Sequence, residues 1–179
     1  DLTINAATTT GGENGIIALN NGKGALSITT TGTTTGKTKD GIYARNSSKG
    51  TSLTIDAATT TGGGFGIKAQ NNGSGALSIT TTGTTTGTKY DGIRALNYGT
   101  GALSITTTGK TTGGQDGIFA NNSKTSLTIV TGEFDAEGDL IKSVYTTGGT
   151  NGIYAYNYGT GALSITTSGD TEGTTGDGI

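Results

Sequence analysis

Cysteine, histidine, proline, methionine and tryptophan are all absent from the 179 residues. Without cysteine or histidine there is no disulfide, no thiolate or imidazole metal ligand, no cysteine nucleophile and no serine–histidine pair. Without proline or a three-residue glycine period, a collagen helix is excluded. Charge is scarce too: 13% of residues are charged and the net charge is -2, with a pI near 5.0. No basic cluster stands out, which argues against nucleic acid and anionic membrane surfaces as partners. Long apolar runs are missing, so no direct membrane insertion is expected in this segment. Hydrophobic residues make up only 30%, yet disordered chains of such low apolarity carry proline and high net charge, and this one has neither.

What is present is glycine, 35 residues, and threonine, 41, arranged in a repeat. Gly-Ile falls at Gly15, Gly41, Gly66, Gly92, Gly117, Gly152 and Gly178, a step of 25 or 26 residues with ten extra before Gly152. Leu-Ser/Thr-Ile keeps nearly the same step from Leu2 to Leu163. Within each unit the apolar residues alternate with period two, the signature of strands. The first strand reads Ile-x-Ala-x-Asn six times, from Ile16/Ala18/Asn20 to Ile153/Ala155/Asn157, while the intervening residues change freely. The second strand places Leu26, Ile28 and their counterparts inward, and a threonine-rich stretch closes the unit. Between strands lie Asn-x-Gly-x-Gly turns, at which glycine is expected to supply positive φ.

A unit of this kind must stack. It buries about three large side chains at ~1.5 to 3 kcal/mol each, whereas every ordered residue costs ~1 kcal/mol or more of backbone entropy. If each unit is one turn of a coil, equivalent strands pair in parallel and equivalent side chains form columns. The Asn20 to Asn157 column then shares amide hydrogen bonds from rung to rung. The expectation is an all-β, right-handed parallel β-helix with about 25 residues per rung and six to seven rungs, one domain over 1–179. An inserted loop or hairpin is expected at about 130–150. Both ends fall inside a unit, so a longer array, or pairing with other copies, is also expected.

Four features stand apart from the repeat. The variable outer face of the first strand carries Tyr43, Arg45, Lys68, Arg94, Leu96, Phe119, Tyr154 and Tyr156. Tyrosine and arginine are favoured at protein contacts, though such side chains also stack simply to stabilise a sheet. Tyr98 and Tyr158 are placed at adjacent corners. The insertion gathers Glu133, Phe134, Asp135, Glu137 and Asp139, including four of the 13 acidic residues. Its plainer reading is a solvated loop or hairpin with Phe134, Leu140, Ile141 and Val144 covering the coil; the next is a partner-binding loop; its chemical readings are a hard-cation site or an acid/base pair. Before Gly-Ile stand Asn14, Asp40, Phe65, Asp91, Asp116, Asn151 and Asp177, mostly turn caps, with Asp91 and Asp116 as stacked neighbours. Outward rows such as Thr29/Thr31 and Thr80/Thr82 are ice-binding in style, but Asp56 and Val130 interrupt them. No catalytic residue, metal site or cofactor is expected.

The runs "DGIRALNYGTGALSITTTG" from Asp91, "DGIYARN" from Asp40 and "NGIYAYNYGTGALSITTSG" from Asn151 resemble the repetitive passenger region of Gram-negative autotransporters of the type V secretion kind. The resemblance covers essentially the whole chain outside about 130–150. It implies a non-catalytic, extracellular or cell-surface β-helix exported through the outer membrane. Its expected role is adhesion, with a host-cell surface protein, a glycan or another copy of itself as partner. The alternatives are a stalk or filament-forming solenoid, a polysaccharide-active β-helix enzyme and an ice-binding protein.

Overall fold

The computed structural model describes residues 1–179 and contains only strands, turns and bends. Three parallel sheets run its length. The Ile-Ala-Asn sheet has six strands, Ile16–Asn20, Ile42–Asn46, Ile67–Asn71, Ile93–Asn97, Ile118–Asn122 and Ile153–Asn157. The Leu-Ser-Ile sheet has seven, Leu2–Ala6, Leu26–Thr30, Leu53–Ala57, Leu77–Thr81, Leu103–Thr107, Leu127–Thr131 and Leu163–Thr167. Seven three-residue strands from Thr9–Gly11 to Thr171–Gly173 form the Thr-Thr-Gly sheet. The chain visits them in the order Leu-Ser-Ile, Thr-Thr-Gly, Ile-Ala-Asn, then climbs one rung, giving a β-solenoid of about seven turns.

Register is set by like stacking on like. Ile42 pairs with Ile16 below and Ile67 above, and Leu77 lies between Leu53 and Leu103. The resulting core is a single cluster of 22 buried residues, chiefly the Ile, Ala and Leu columns. Two further columns also face inward: Thr34, Thr60, Thr85, Thr111 and Thr146 from the short sheet, and Thr30, Thr81, Thr107 and Thr131 from the Leu-Ser-Ile sheet. Their hydroxyls find no partner in the protein. Threonine serves here as a β-branched packing residue that tolerates burial poorly but suits the strand backbone.

The asparagine column is a continuous ladder. Nδ2 of Asn20 donates to Oδ1 of Asn46 at 2.9 Å, Asn46 to Asn71 at 3.0 Å, and Asn71 to Asn97 at 3.3 Å. Asn97 donates to Asn122 at 2.8 Å and Asn122 to Asn157 at 3.0 Å. The same nitrogen closes its own corner, as in Asn97 to the Gly101 carbonyl at 2.7 Å. All five bonds point the same way along the axis, so each buried amide is at once donor and acceptor.

The turn glycines act differently from expectation. Positive φ occurs only at Gly132 (121°) and Gly138 (89°), both in the insertion. At the Asn-x-Gly-x-Gly corners the constraint is crowding between rungs: a Cβ on Gly73 would collide with the Gly50 and Thr51 carbonyls of the rung below. Gly41 of the Gly-Ile motif is likewise hemmed in, its Cβ position lying 2.6 Å from the Gly66 carbonyl oxygen.

The insertion is an antiparallel hairpin, Glu133–Phe134 against Leu140–Lys142, at the corner between the Leu-Ser-Ile and Thr-Thr-Gly sheets. Its turn is closed by Asp135, whose Oδ1 accepts the backbone N–H groups of Glu137 (3.1 Å) and Asp139 (2.8 Å). The expected apolar cover is corrected here. Leu140 and Ile141 are 51% and 61% exposed and Phe134 is half-buried; Val144 alone, at 4%, packs onto the coil. The hairpin pairs with itself, so it projects from the rung and leaves those side chains in solvent.

Two stability outcomes follow from the polar interior. Replacing Asn97 by alanine removes the bonds to Asn71, Asn122 and Gly101 together, and urea unfolding is expected to register a loss of about 3 kcal/mol. Thr107→Val keeps the shape and deletes an unpartnered buried hydroxyl, so the same assay is expected to show no loss, or a gain of about 1 kcal/mol.

Candidate functional site

The outer side of the Ile-Ala-Asn sheet is built by the register alone. Because Ile and Ala point in, the intervening positions point out, and in-register pairing aligns them in two columns. One runs Ile17, Tyr43, Lys68, Arg94, Phe119, Tyr154; the other runs Leu19, Arg45, Gln70, Leu96, Asn121, Tyr156. The eight residues expected on this face therefore lie together on it.

Within the first column two adjacent cations, Lys68 and Arg94, lie between the Tyr43 ring below and the Phe119 and Tyr154 rings above. The Lys68 ammonium lies 5.3 Å from the Tyr43 ring centroid and 5.2 Å from that of Phe65. The Arg94 guanidinium lies 4.3 Å from the Phe119 ring and 5.7 Å from Phe65. Higher up, Phe119 meets Tyr154 edge-on at 5.7 Å and Tyr156 at 6.3 Å. Tyr156 stacks on Tyr158 at 5.7 Å with planes 12° apart. Cation–π contacts at exposed sites are worth about 0.5 to 1 kcal/mol each, so two per cation offset much of the rotamer entropy lost when these side chains are ordered along the face. The Tyr154 and Tyr156 hydroxyls hydrogen-bond to one another, and that bond raises the Tyr156 phenol above its ordinary value.

Phe65 and Tyr90 belong to this surface and were not among the expected residues; their rings stack at 4.8 Å. Phe65 is the one break in the Asp/Asn column before Gly-Ile, and that break was the available signal. Tyr98 and Tyr158 are two rungs apart, not at adjacent corners, because Ser123 occupies the corner between them. Arg45 is exposed, and neither an ion pair nor a ring contact is formed by it.

The Asp/Asn column caps the next rung. Asp40 Oδ1 accepts the Phe65 N–H at 3.2 Å, Asp91 Oδ1 that of Asp116 at 3.2 Å, and Asp116 Oδ1 that of Asn151 at 3.2 Å. The remaining Asp91 oxygen accepts from Arg94 at 3.0 Å. Both carboxylate oxygens of Asp91 are thus spent on the protein. Asp91 is 1% exposed, and burial raises its pKa against the opposing pull of the Asp116 N–H and Arg94.

The acidic residues of the hairpin are not brought to this face. They sit at the corner opposite the Ile-Ala-Asn sheet, with Glu133 across from Lys142 and Asp135 engaged in its own turn. The outward threonine rows are interrupted as expected, Asp56 standing between Thr29 and Thr80 and Val130 between Thr106 and Thr166. Compared with protein-family models, curated proteins and solved structures, the chain matches none.

Ionising Asp91 costs stability in the folded state because its pKa is raised. Its contribution is therefore greatest below the unfolded value and declines as pH rises through the folded one. Asp91→Asn keeps a capping oxygen, as Asn14 and Asn151 do in the same column. Thermal melts from pH 7 to 4 should show the variant at its best relative to wild type at pH 7, with that advantage shrinking as pH falls.

Proposed function

We propose that this β-solenoid is a non-catalytic recognition segment of the autotransporter-passenger kind, displayed on or released from a bacterial surface. Its outer Ile-Ala-Asn face contacts a host-cell protein or glycan. The observation carrying this reading is the contrast between the two sides of one sheet. Inward positions repeat Ile, Ala and Asn on every rung, whereas outward positions over five successive rungs hold a non-repeating column of Tyr43, Lys68, Arg94, Phe119 and Tyr154. Packing accounts for the first pattern but does not demand the second. Large aromatic and cationic side chains, pre-ordered by mutual contact, are also the residues that dominate recognition surfaces.

A stalk or filament unit is the second reading, favoured by the regularity of the rungs themselves. The two are separated by binding of the purified protein to cultured host cells and a glycan array. The comparison is with Tyr43→Ala/Arg94→Ala/Phe119→Ala/Tyr154→Ala. A recognition face predicts binding that falls at least about tenfold in the variant while circular dichroism stays β-rich. A folded wild-type protein that binds nothing would favour the stalk.

A further inference from the structure

A second surface feature lies on a different sheet. Rung three turns from its Leu-Ser-Ile strand to its Thr-Thr-Gly strand in two residues, Ala58 and Thr59. Its neighbours take three each, Thr31–Thr33 below and Thr82–Thr84 above. The shortened corner coincides with the loss of side chain: Ala57 replaces the threonine found at Thr30 and Thr81, and Ala58 the one at Thr31 and Thr82. A recess of about 320 Å³ opens there, at the lower end of the size of small-molecule sites.

The lining is chemically mixed. Asp56 contributes a carboxylate between Thr29 and Thr80, and Ala58 a methyl group between Thr31 and Thr82, while Ala57, 3% exposed, turns its methyl into the core. Asp56 is exposed and belongs to neither of the two ion pairs, Lys39–Glu13 and Arg94–Asp91. A single carboxylate among neutral oxygens falls far short of the six to eight ligands a hard cation gathers, and it repels phosphate or sulfate. Without an aromatic or large aliphatic wall, the recess also suits an apolar ligand poorly.

We propose that this recess is a binding subsite for one pyranose ring of a glycan. The Asp56 carboxylate accepts hydrogen bonds from two neighbouring sugar hydroxyls, the flanking threonine hydroxyls pair with others, and the apolar C–H face of the ring rests on Ala58 and the threonine methyls beside it. A charge-assisted pair of O–H···O⁻ bonds is the strongest polar contact available to an uncharged ligand. The subsite lies on the Leu-Ser-Ile side and is independent of the aromatic–cation face.

The test is a nitrogen-15 NMR titration of the intact 179-residue chain with the methyl pyranosides of glucose, galactose and mannose at millimolar concentration. At least one is expected to shift the backbone amides of Ala57, Ala58, Thr31 and Thr82. Asp56→Asn and Ala58→Thr should each weaken that response at least tenfold. Ala58→Thr installs the residue both neighbouring rungs carry here, so melting should be unchanged; should it fail to fold, Asp56→Asn at an exposed position decides alone. The quadruple variant of the aromatic–cation face should titrate like wild type, which separates failure here from failure there. The proposal is overturned if no pyranoside shifts these amides, if the folded Ala58→Thr protein responds as wild type does, or if methylammonium shifts them as strongly as the sugars.

Discussion

The structure depends on a buried amide that donates to the rung above while accepting from the rung below. A carboxamide holds its donor and its acceptor on separate atoms of one rigid plane, and the ladder from Asn20 to Asn157 uses both at each interior position. Slipping one strand by a residue would turn an asparagine to solvent and leave its neighbours' donors and acceptors unpaired in the interior, a cost that apolar columns alone would not impose. The ladder thus specifies register, and register then aligns the Ile, Ala and Leu columns without further instruction.

With the inside so constrained, variation falls mainly at the outward positions and the corners, Ala57 in the inward Thr30–Thr81 column being an exception. Outward positions are used for the rings and cations between Tyr43 and Tyr154. Corners absorb changes of length, because a residue added or removed there leaves the flanking strands in register. The hairpin after Thr131 is the large example: Leu127–Thr131 and Leu163–Thr167 still pair residue for residue across it. The two-residue corner at Ala58 is the small one, and Thr60–Gly62 still aligns with Thr34–Gly36 and Thr85–Gly87. Both the projecting hairpin and the recess are therefore products of one rule, that the solenoid tolerates irregularity only where its ladders do not run.

Much of this was legible from period alone. Ile-x-Ala-x-Asn states both the strand and its buried face, and its recurrence every 25 or 26 residues states the stacking, so the three sheets and the asparagine ladder follow. The inward threonines were harder to see, because in "TTGTTTG" every position looks alike and only the turn geometry decides which methyls enter the core. The turn glycines were assigned a dihedral reason when the operative one is contact with the rung below, which a single unit does not reveal. Leu140 and Ile141 looked like core by composition, yet a self-paired hairpin has no need to fold back. At the surface, Phe65 and Tyr90 join a column defined by residues a full rung away. The recess, too, emerges only when corner lengths on three rungs are compared.

In-register parallel stacking is tested most directly by cross-linking, which the absence of native cysteine makes clean. Thr80 and Thr106 are outward-facing register partners, and neighbouring strands place such residues within the ~4.4 to 6.8 Å Cα separation of a disulfide. Under mild oxidation, Thr80→Cys/Thr106→Cys should form an intramolecular disulfide in high yield with the melting temperature maintained. The pair offset by two positions, Thr80→Cys/Ser104→Cys, should remain reduced. A disulfide in the offset pair, or none in the matched one, would contradict the stacking on which every other feature rests.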